Sequence, residues 1–420
     1  MTSNGYKEIK IGPRDFTIPI DWEVLDIENT STLKGRIGWQ GLTTKEYLNK
    51  GNFYLITGTD FKNGRIYWDN CHYVEKERYQ QDNNIQIKEK DVLITKDGTI
   101  GKVALIDKFP SHPATLNSGV FVLRPIENSY LPEYMYHYLK SYFFKSFIND
   151  IKAGSTIAHL YQKDFNKFQF ICPPTIEEQN QIAEILSTVD DAIEKTAAII
   201  EESRQLKKGL MQKLFTEGIG HTRFKETKIG KIPETWETVK LKEYTKIIMG
   251  QSPSSSDCND EIRGLPFFQG NGEFGSKYPI AKHWTTNPTK IAQPDDILMS
   301  VRAPVGEFNI SNCICCIGRG LCAIRPSVQI DLYFTYYCLK SSINRLKRLE
   351  QGSTFSAVNK TDITTFEIPF PPIDEQRQIS KILSEVDAKI EKEEATKAEL
   401  EQLKKGLMQV LLTGKVRVMA

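Results

Sequence analysis

A few short stretches of this chain carry residue types that could do covalent chemistry, and each lacks a part that its chemistry needs. Phe268-Gln269-Gly270-Asn271-Gly272 has the Phe-x-Gly-x-Gly spacing of a loop that binds S-adenosylmethionine. Such a loop should follow a strand and open a helix. Here it leads into Glu273-Phe274-Gly275-Ser276-Lys277-Tyr278-Pro279, which reads as a loop. No Asp/Asn-Pro-Pro-aromatic tetrapeptide stands ready to hold a target adenine, and Asn287-Pro288-Thr289-Lys290 is a poor substitute. Gly98-Thr99-Ile100-Gly101-Lys102 has the wrong spacing for a P-loop, which needs four residues between its glycines. Cys313, Cys315, Cys316 and Cys322 lack the paired C-x-x-C spacing or interleaved histidines of a zinc site. They alternate with Ile314 and Ile317 as in a buried strand, so core packing is expected and no metal is assigned. His72, His112, His137, His159, His221 and His283 form no H-E-x-x-H or triad-like cluster. The sequence therefore assigns this chain no catalytic residue, no metal and no cofactor of its own.

Binding chemistry remains. Several loops combine Gly, Asn, Ser, Thr, Lys and Arg with aromatics. The candidate contact residues are Thr57, Thr59, Lys62, Asn63 and Arg65 in one loop and Lys96 and Thr99 in a second. Gln269 and Asn271 follow in a third, and Arg302 and Arg319 stand in two more. Arg and Lys can bind guanine edges or phosphates, and Asn and Gln can read adenine. Gly154-Ser155-Thr156 and Gly352-Ser353-Thr354 offer hydroxyl and backbone N–H donors to phosphate.

The elements that must hold these loops are announced by internal repetition. Residues 176–216 align without gaps on 373–413, and 25 of the 41 positions are identical. Glu178-Gln179-x-Gln181-Ile182 matches Glu375-Gln376-x-Gln378-Ile379, and Gln205-Leu-Lys-Lys-Gly-Leu-Met-Gln212 recurs as 402–409. Fainter matches keep the same order. They are Ile18-Pro19-x-x-Trp22 with Ile232-Pro233-x-x-Trp236, Asp91-Val92-Leu93-Ile94 with Asp296-Ile297-Leu298-Met299, Arg124-Pro125 with Arg325-Pro326, and Leu139-Lys140-Ser141 with Leu339-Lys340-Ser341. One scaffold is used twice with two different contact surfaces.

The repeated stretch reads as a helix. Ile182, Leu186, Val189 and Ile193, and again Ile379, Leu383, Val386 and Ile390, lie at spacings of three, four or seven. That spacing draws an apolar seam for helix pairing. The double prolines mark the starts, Gly218 and Gly414 the ends, and Gly209 and Gly406 are places for a bend or interruption. About 40 residues give a rod of roughly 60 Å. The seam needs a partner: either a second chain in a homodimer or, favoured by two copies in one polypeptide, the other repeat. Intramolecular pairing would be antiparallel, with the globular segments at opposite ends. Residues 1–175 and 218–372 read as globular and mixed α and β. Val92–Thr95, Val120–Leu123 and Ile297–Ser300 read as strands, and Tyr134–Phe147 and Leu332–Leu349 as helices. The fold class is α+β. Two globular segments, 1–175 and 218–372, are separated by spacer helices 176–217 and 373–420 that pair as an antiparallel intramolecular coiled coil, a pseudo-twofold repeat.

The 420 residues suit two or more domains, and 40% hydrophobic with 26% charged residues is ordinary for a globular protein. The eight cysteines show no disulfide spacing, which fits a reducing compartment. No apolar run is long enough to span a membrane and no signal core opens the chain, so a cytoplasmic location is expected. Net charge is +2, yet the helices carry −3 and −2, leaving the globular segments basic overall, as suits a polyanion partner.

With its Pro-Pro…Glu-Gln-x-x-Ile…Val-Asp-x-x-Ile helices closed by Leu-Lys-Lys-Gly-Leu-Met-Gln, its Ile-Pro-x-x-Trp starts and its Gly-Ser-Thr turns, the chain resembles the specificity (S) subunit of type I restriction–modification systems. The resemblance implies that residues 1–175 and 218–372 are target recognition domains reading the two parts of a split, asymmetric DNA site. It places Ser155, Thr156, Ser353 and Thr354 near DNA. It makes the helices a spacer and the docking surface for two modification (methyltransferase) subunits, which bind S-adenosylmethionine and methylate adenine. Two restriction (translocase/endonuclease) subunits, using ATP and magnesium, can join. One turn of B-DNA is about 34 Å, which a rod of this length could bridge. Two other classes stand beside this reading: a self-sufficient DNA methyltransferase or nuclease, and a coiled-coil scaffold with no nucleic-acid role.

Overall fold

The computed structural model describes residues 5–108, 110–153, 159–350 and 357–418. It divides into two compact units. The first takes in residues 1–195 and 397–420, and the second residues 196–396. The two helices that repeat in sequence run unbroken over Ile176–Thr216 and Ile373–Leu411, and each is shared between the units. This differs from the sequence segmentation, which set the helices apart from the globular parts. Each unit is one globular lobe, the start of the helix that follows it and the end of the other helix. Gly209 and Gly406 interrupt neither helix.

The main sheet has the same topology in both lobes. In the first unit a four-stranded antiparallel sheet has the order Val103–Leu105, Val92–Thr95, Val120–Pro125, Ser31–Gly35. In the second the order is Phe308–Ile310, Ile297–Ser300, Leu321–Pro326, Thr245–Met249. A second sheet in each unit contains a parallel pair, Ala114–Leu116 with Tyr54–Ile56 and Cys315–Ile317 with Leu265–Phe268. Strands alternate sides, so Val92, Ile94, Phe121 and Leu123 enter one core, and Leu93, Val120 and Val122 enter the core under the second sheet. Ile297, Met299, Cys322 and Ile324 divide from Leu298, Leu321 and Ala323 in the same way. Two buried faces explain why these strands read as continuous apolar runs.

The cysteine cluster lies partly in this layer. Cys315 and Cys322 are core residues on different faces of the sheets, and burial pushes both thiols up to about 12. Ile314 stands exposed, one residue before its strand, so the expected alternation begins only at Cys315.

The expected helices are each divided in two, at Pro132–Lys140 and Tyr142–Ala153 and at Leu332–Ser341 and Ile343–Glu350. Serine makes the break. The Ser141 hydroxyl donates to the Tyr138 carbonyl at 2.5 Å and accepts from the Phe143 N–H at 3.2 Å, closing one helix and opening the next.

Most of the faint matches between the halves prove to be structural joints. Asp91 takes a bidentate ion pair from Arg124 at 2.6 and 2.7 Å, and Asp296 one from Arg325 at 2.7 and 2.8 Å. The Gln179 side chain accepts from the Leu131 N–H at 2.7 Å and donates to the Pro173 carbonyl at 3.0 Å. Gln376 does the same with Asp331 and Pro371 at 2.9 and 2.8 Å. Gly218 and Gly414 end the helices at φ +64° and +68°, the left-handed cap that favours glycine. A Cβ on Gly218 would meet Trp236 and Glu375, and one on Gly414 would meet Pro19 and Trp22. The Ile-Pro-x-x-Trp segment is thus the seat on which a helix end rests.

Within each unit the helix segments run antiparallel. Glu178 pairs with Arg417 and Asp190 with Lys404 in the first unit; Arg204 pairs with Glu394 and Lys207 with Asp387 in the second. The seam residues do more than pair helices. Ile182 and Leu186 are buried with Leu411 and Leu412 in the main core of the first lobe, and Ile379 and Leu383 with Leu214 and Phe215 in that of the second. Val189, Ile193 and Val386 are half-buried, and Ile390 is buried.

Candidate nucleic-acid interface

The loops singled out by composition gather largely at one edge of each lobe, where the parallel strands and the central strands of the main sheet end. The register makes the two edges comparable. Ile56 pairs with Leu116 and Phe268 with Ile317, so Thr57-Gly58-Thr59 and Gln269-Gly270-Asn271 are equivalent turns. The Lys96 N–H donates to the Gly119 carbonyl at 2.8 Å, and the Val301 N–H to the Gly320 carbonyl at 2.9 Å. The Thr95 hydroxyl donates to the Thr99 carbonyl at 2.6 Å, and the Ser300 hydroxyl to the Pro304 carbonyl at 2.7 Å. The scaffold is held constant while the outward side chains change.

In the second unit the loops touch backbone to backbone. A Cβ on Gly318 would lie 2.9 Å from the Gln269 Cα, one on Gly320 2.5 Å from the Gln269 carbonyl oxygen, and one on Gly250 2.0 Å from the Gly318 carbonyl oxygen. Only glycine permits this approach. It brings Gln269, Arg319, Arg302 and Gln251 to one exposed surface, with Asn271 half-buried beside them. Gln251 was not legible from the sequence; Gly250-Gln251-Ser252-Pro253 has ordinary turn composition, and only its contact with Gly318 marks it.

The first unit makes different use of its candidates. Thr57 is buried, and its N–H and hydroxyl both donate to Asp60, at 2.7 and 2.9 Å. Thr59 is exposed and shares a hydrogen bond with the Thr57 hydroxyl at 2.7 Å. Asn63, at φ +53°, turns a hairpin, and Lys62 lies over the Tyr67 ring. Arg65 faces Asp107, Asp191 and Glu194 at 3.3, 3.5 and 3.2 Å, so it ties the hairpin to the first long helix, a role that its loop composition did not disclose. Lys96 is half-buried over the Phe121 ring, and burial lowers its pKa. Thr99, Asp97 and Ser118 complete this edge, with Asp97 paired to His159; neither Asp97 nor Ser118 was singled out from the sequence. Ser155, Thr156, Ser353 and Thr354 lie outside the described residues.

A second repeated site joins helices to lobes. Lys404 donates to Asp190 at 2.5 Å and Lys140 donates to the same carboxylate at 3.1 Å. Burial pushes the Asp190 carboxyl up, but the two lysines outweigh it and hold it below its ordinary value. In the second unit Lys207 donates to Asp387 at 2.5 Å, and the Tyr337 hydroxyl to the same carboxylate at 2.6 Å. The Val-Asp and Leu-Lys-Lys-Gly stretches match so closely because each copy of one binds the other copy's partner.

Residues 19–202 and 233–402 match the family described as type I restriction modification DNA specificity domain. The chain is 37% identical over 423 residues to the putative type I restriction enzyme MjaX specificity subunit of Methanocaldococcus jannaschii, covering 98% of this chain and 97% of that one. A solved chain from work on the complex assembly and conformational transition of the type I R-M system is 26% identical, with a TM-score of 0.58 over 95% of this chain and 99% of that one. The type I restriction–modification S subunit of M. genitalium shares the fold at a TM-score of 0.62 and 18% identity, covering 98% of this chain and 99% of that one.

Proposed function

Because this chain belongs to the type I restriction–modification DNA specificity family, we propose that each of its two units reads one part of a split, asymmetric DNA site and so directs adenine methylation, and cleavage, by partner subunits. The family recognises DNA and has no activity of its own. The observation that carries the finer reading is the pair of equivalent loop edges on one repeated scaffold, alike in several backbone hydrogen bonds and different in outward side chains. A reader of two unlike half-sites needs that combination: constant positioning and variable chemistry. The self-sufficient methyltransferase and the scaffold without a nucleic-acid role are not favoured.

The partner on the helices is proposed to be two copies of one modification subunit. Support comes from exposed residues that match between the repeats. Leu206 and Leu403 are 57% and 50% exposed. Lys208 and Lys405, and Gln212 and Gln409, are exposed as well. Gly209 and Gly406 sit in exposed helix where an added Cβ would meet nothing. Among the described residues no hydrogen bond or ion pair of these side chains demands the identities, so a partner met twice would account for them. The test is a swap of residues 1–175 for those of another family member, followed by mapping of methylated adenines in cells carrying the modification subunit. One half of the methylated motif should change while the other stays. Change in both halves would defeat the modular reading.

A further inference from the structure

The edge of the second unit carries two exposed arginines with no side-chain partner among the described residues. Ser300 pairs with Leu321, and the Val301 N–H reaches the Gly320 carbonyl, so Arg302 and Arg319 lie just beyond the same end of two adjacent strands, where Arg302 forms its backbone bridge with Ala357. Val301 is buried while Arg302 and Arg319 are both exposed. Neither guanidinium has a hydrogen-bond or ion-pair partner among the described residues, whereas Arg36, Arg65, Arg78, Arg124 and Arg325 all do. Two exposed guanidiniums at the ends of adjacent strands, flanked by amide side chains, suit an acceptor outside the chain. Gln251 and Gln269 flank the pair on loops fixed by glycine contacts, and both are exposed. The equivalent positions of the first unit hold Asp97 and Ser118, with Thr57 and Ile37 in place of the glutamines. That edge lacks the arginine forks.

Resting on the DNA-reading role proposed above, we propose that Arg302 and Arg319 are specificity-determining residues that read guanine, so that the half-site of the second unit contains guanine recognised by this pair. A guanidinium spans the two acceptors of guanine, N7 and O6, in the major groove, and the planar fork rather than the charge makes the contact selective. A phosphate contact by the same residues would need only the charge.

The experiment uses the full chain with its modification subunits in a host free of other adenine methylation. Arg302→Lys and Arg319→Lys, which keep the charge, are compared with Arg302→Ala and Arg319→Ala by mapping methylated adenines genome-wide. The expected result is that both substitutions at a position relax one guanine of one half-motif, by about 10- to 100-fold in preference. The other half-motif stays intact, which also reports that the variant is folded. Three results would overturn the proposal: an unchanged motif with uniformly weaker methylation rescued by lysine, which marks a phosphate contact; no change in any variant; or relaxation in the other half-site. Methylation without any motif by the unaltered chain would bring down the DNA-reading role itself, and is told apart from these by appearing before any substitution.

Discussion

His137 and Tyr337 occupy equivalent places in the two copies of the polar joint between lobe and helix. Tyr337 donates its hydroxyl to Asp387, while His137, fully buried, shares a 2.9 Å hydrogen bond with the Ser187 hydroxyl. Burial drives the His137 pKa down to about 3, against a partial opposing pull from Asp190. The folded value lies below the unfolded one of about 6.5. Between the two, the unfolded chain holds a proton that the folded chain does not, so stability rises with pH through this window and is lost as pH falls. His137→Gln should therefore flatten the pH dependence of the first unit's unfolding temperature between about pH 4.5 and 6.5. Calorimetry across that range checks it, and an unaltered slope would mean that His137 is charged in the folded state. At this scale the sequence was informative about residue type and silent about partners. Arg65 and Arg302 stand in loops of similar composition; one is spent on three carboxylates of its own unit, and the other is exposed with no side-chain partner among the described residues.

The long helices show how an apolar stripe can serve two masters. Their early residues, Ile182 and Leu186 or Ile379 and Leu383, plug the lobe they follow, and at the same point receive the end of the other helix. Periodicity alone identified the stripe, because a 3.6-residue repeat is local. It could not say that a globular core, as well as a helix, covers it. Gly209 and Gly406 make the opposite case: they looked like breaks and are uninterrupted helix. Glycine in a helix interior costs about 1 kcal/mol relative to alanine. Gly209→Ala with Gly406→Ala should therefore raise stability by up to about 2 kcal/mol in urea unfolding while weakening assembly with modification subunits in a sedimentation experiment. Stabilisation with undiminished assembly would show that no partner approaches these glycines closely.

Across the whole chain, one compact unit is assembled from distant stretches, residues 1–195 with 397–420, and the other is the continuous stretch 196–396. The Arg417 side chain binds both Asp21 and Glu178, at 2.9 and 2.7 Å, tying the end of the first unit's sequence to its beginning. None of the described helices is long and apolar enough to cross a membrane. We propose that cofactor chemistry lies with the partners: S-adenosylmethionine on the modification subunits, ATP and magnesium on the restriction subunits. Isothermal titration of the isolated chain with S-adenosylmethionine should then give no heat of binding, and the chain complexed with modification subunits should give a clear one. Heat from the isolated chain would reopen the methyltransferase reading.

What the sequence by itself determined is the repetition, the two long helices, the central strands and the family. Each of these is written in local periodicity or in identities between two stretches of the same chain. What only the tertiary structure decided is which side chains are used up internally. Arg65 is consumed by carboxylates distant in sequence, and Gln251 is delivered to the same edge as Arg302 and Arg319 by glycine contacts between separate loops. Composition records what a side chain can bind; whether it remains available depends on three-dimensional neighbours, and those are set by packing that no single stretch encodes.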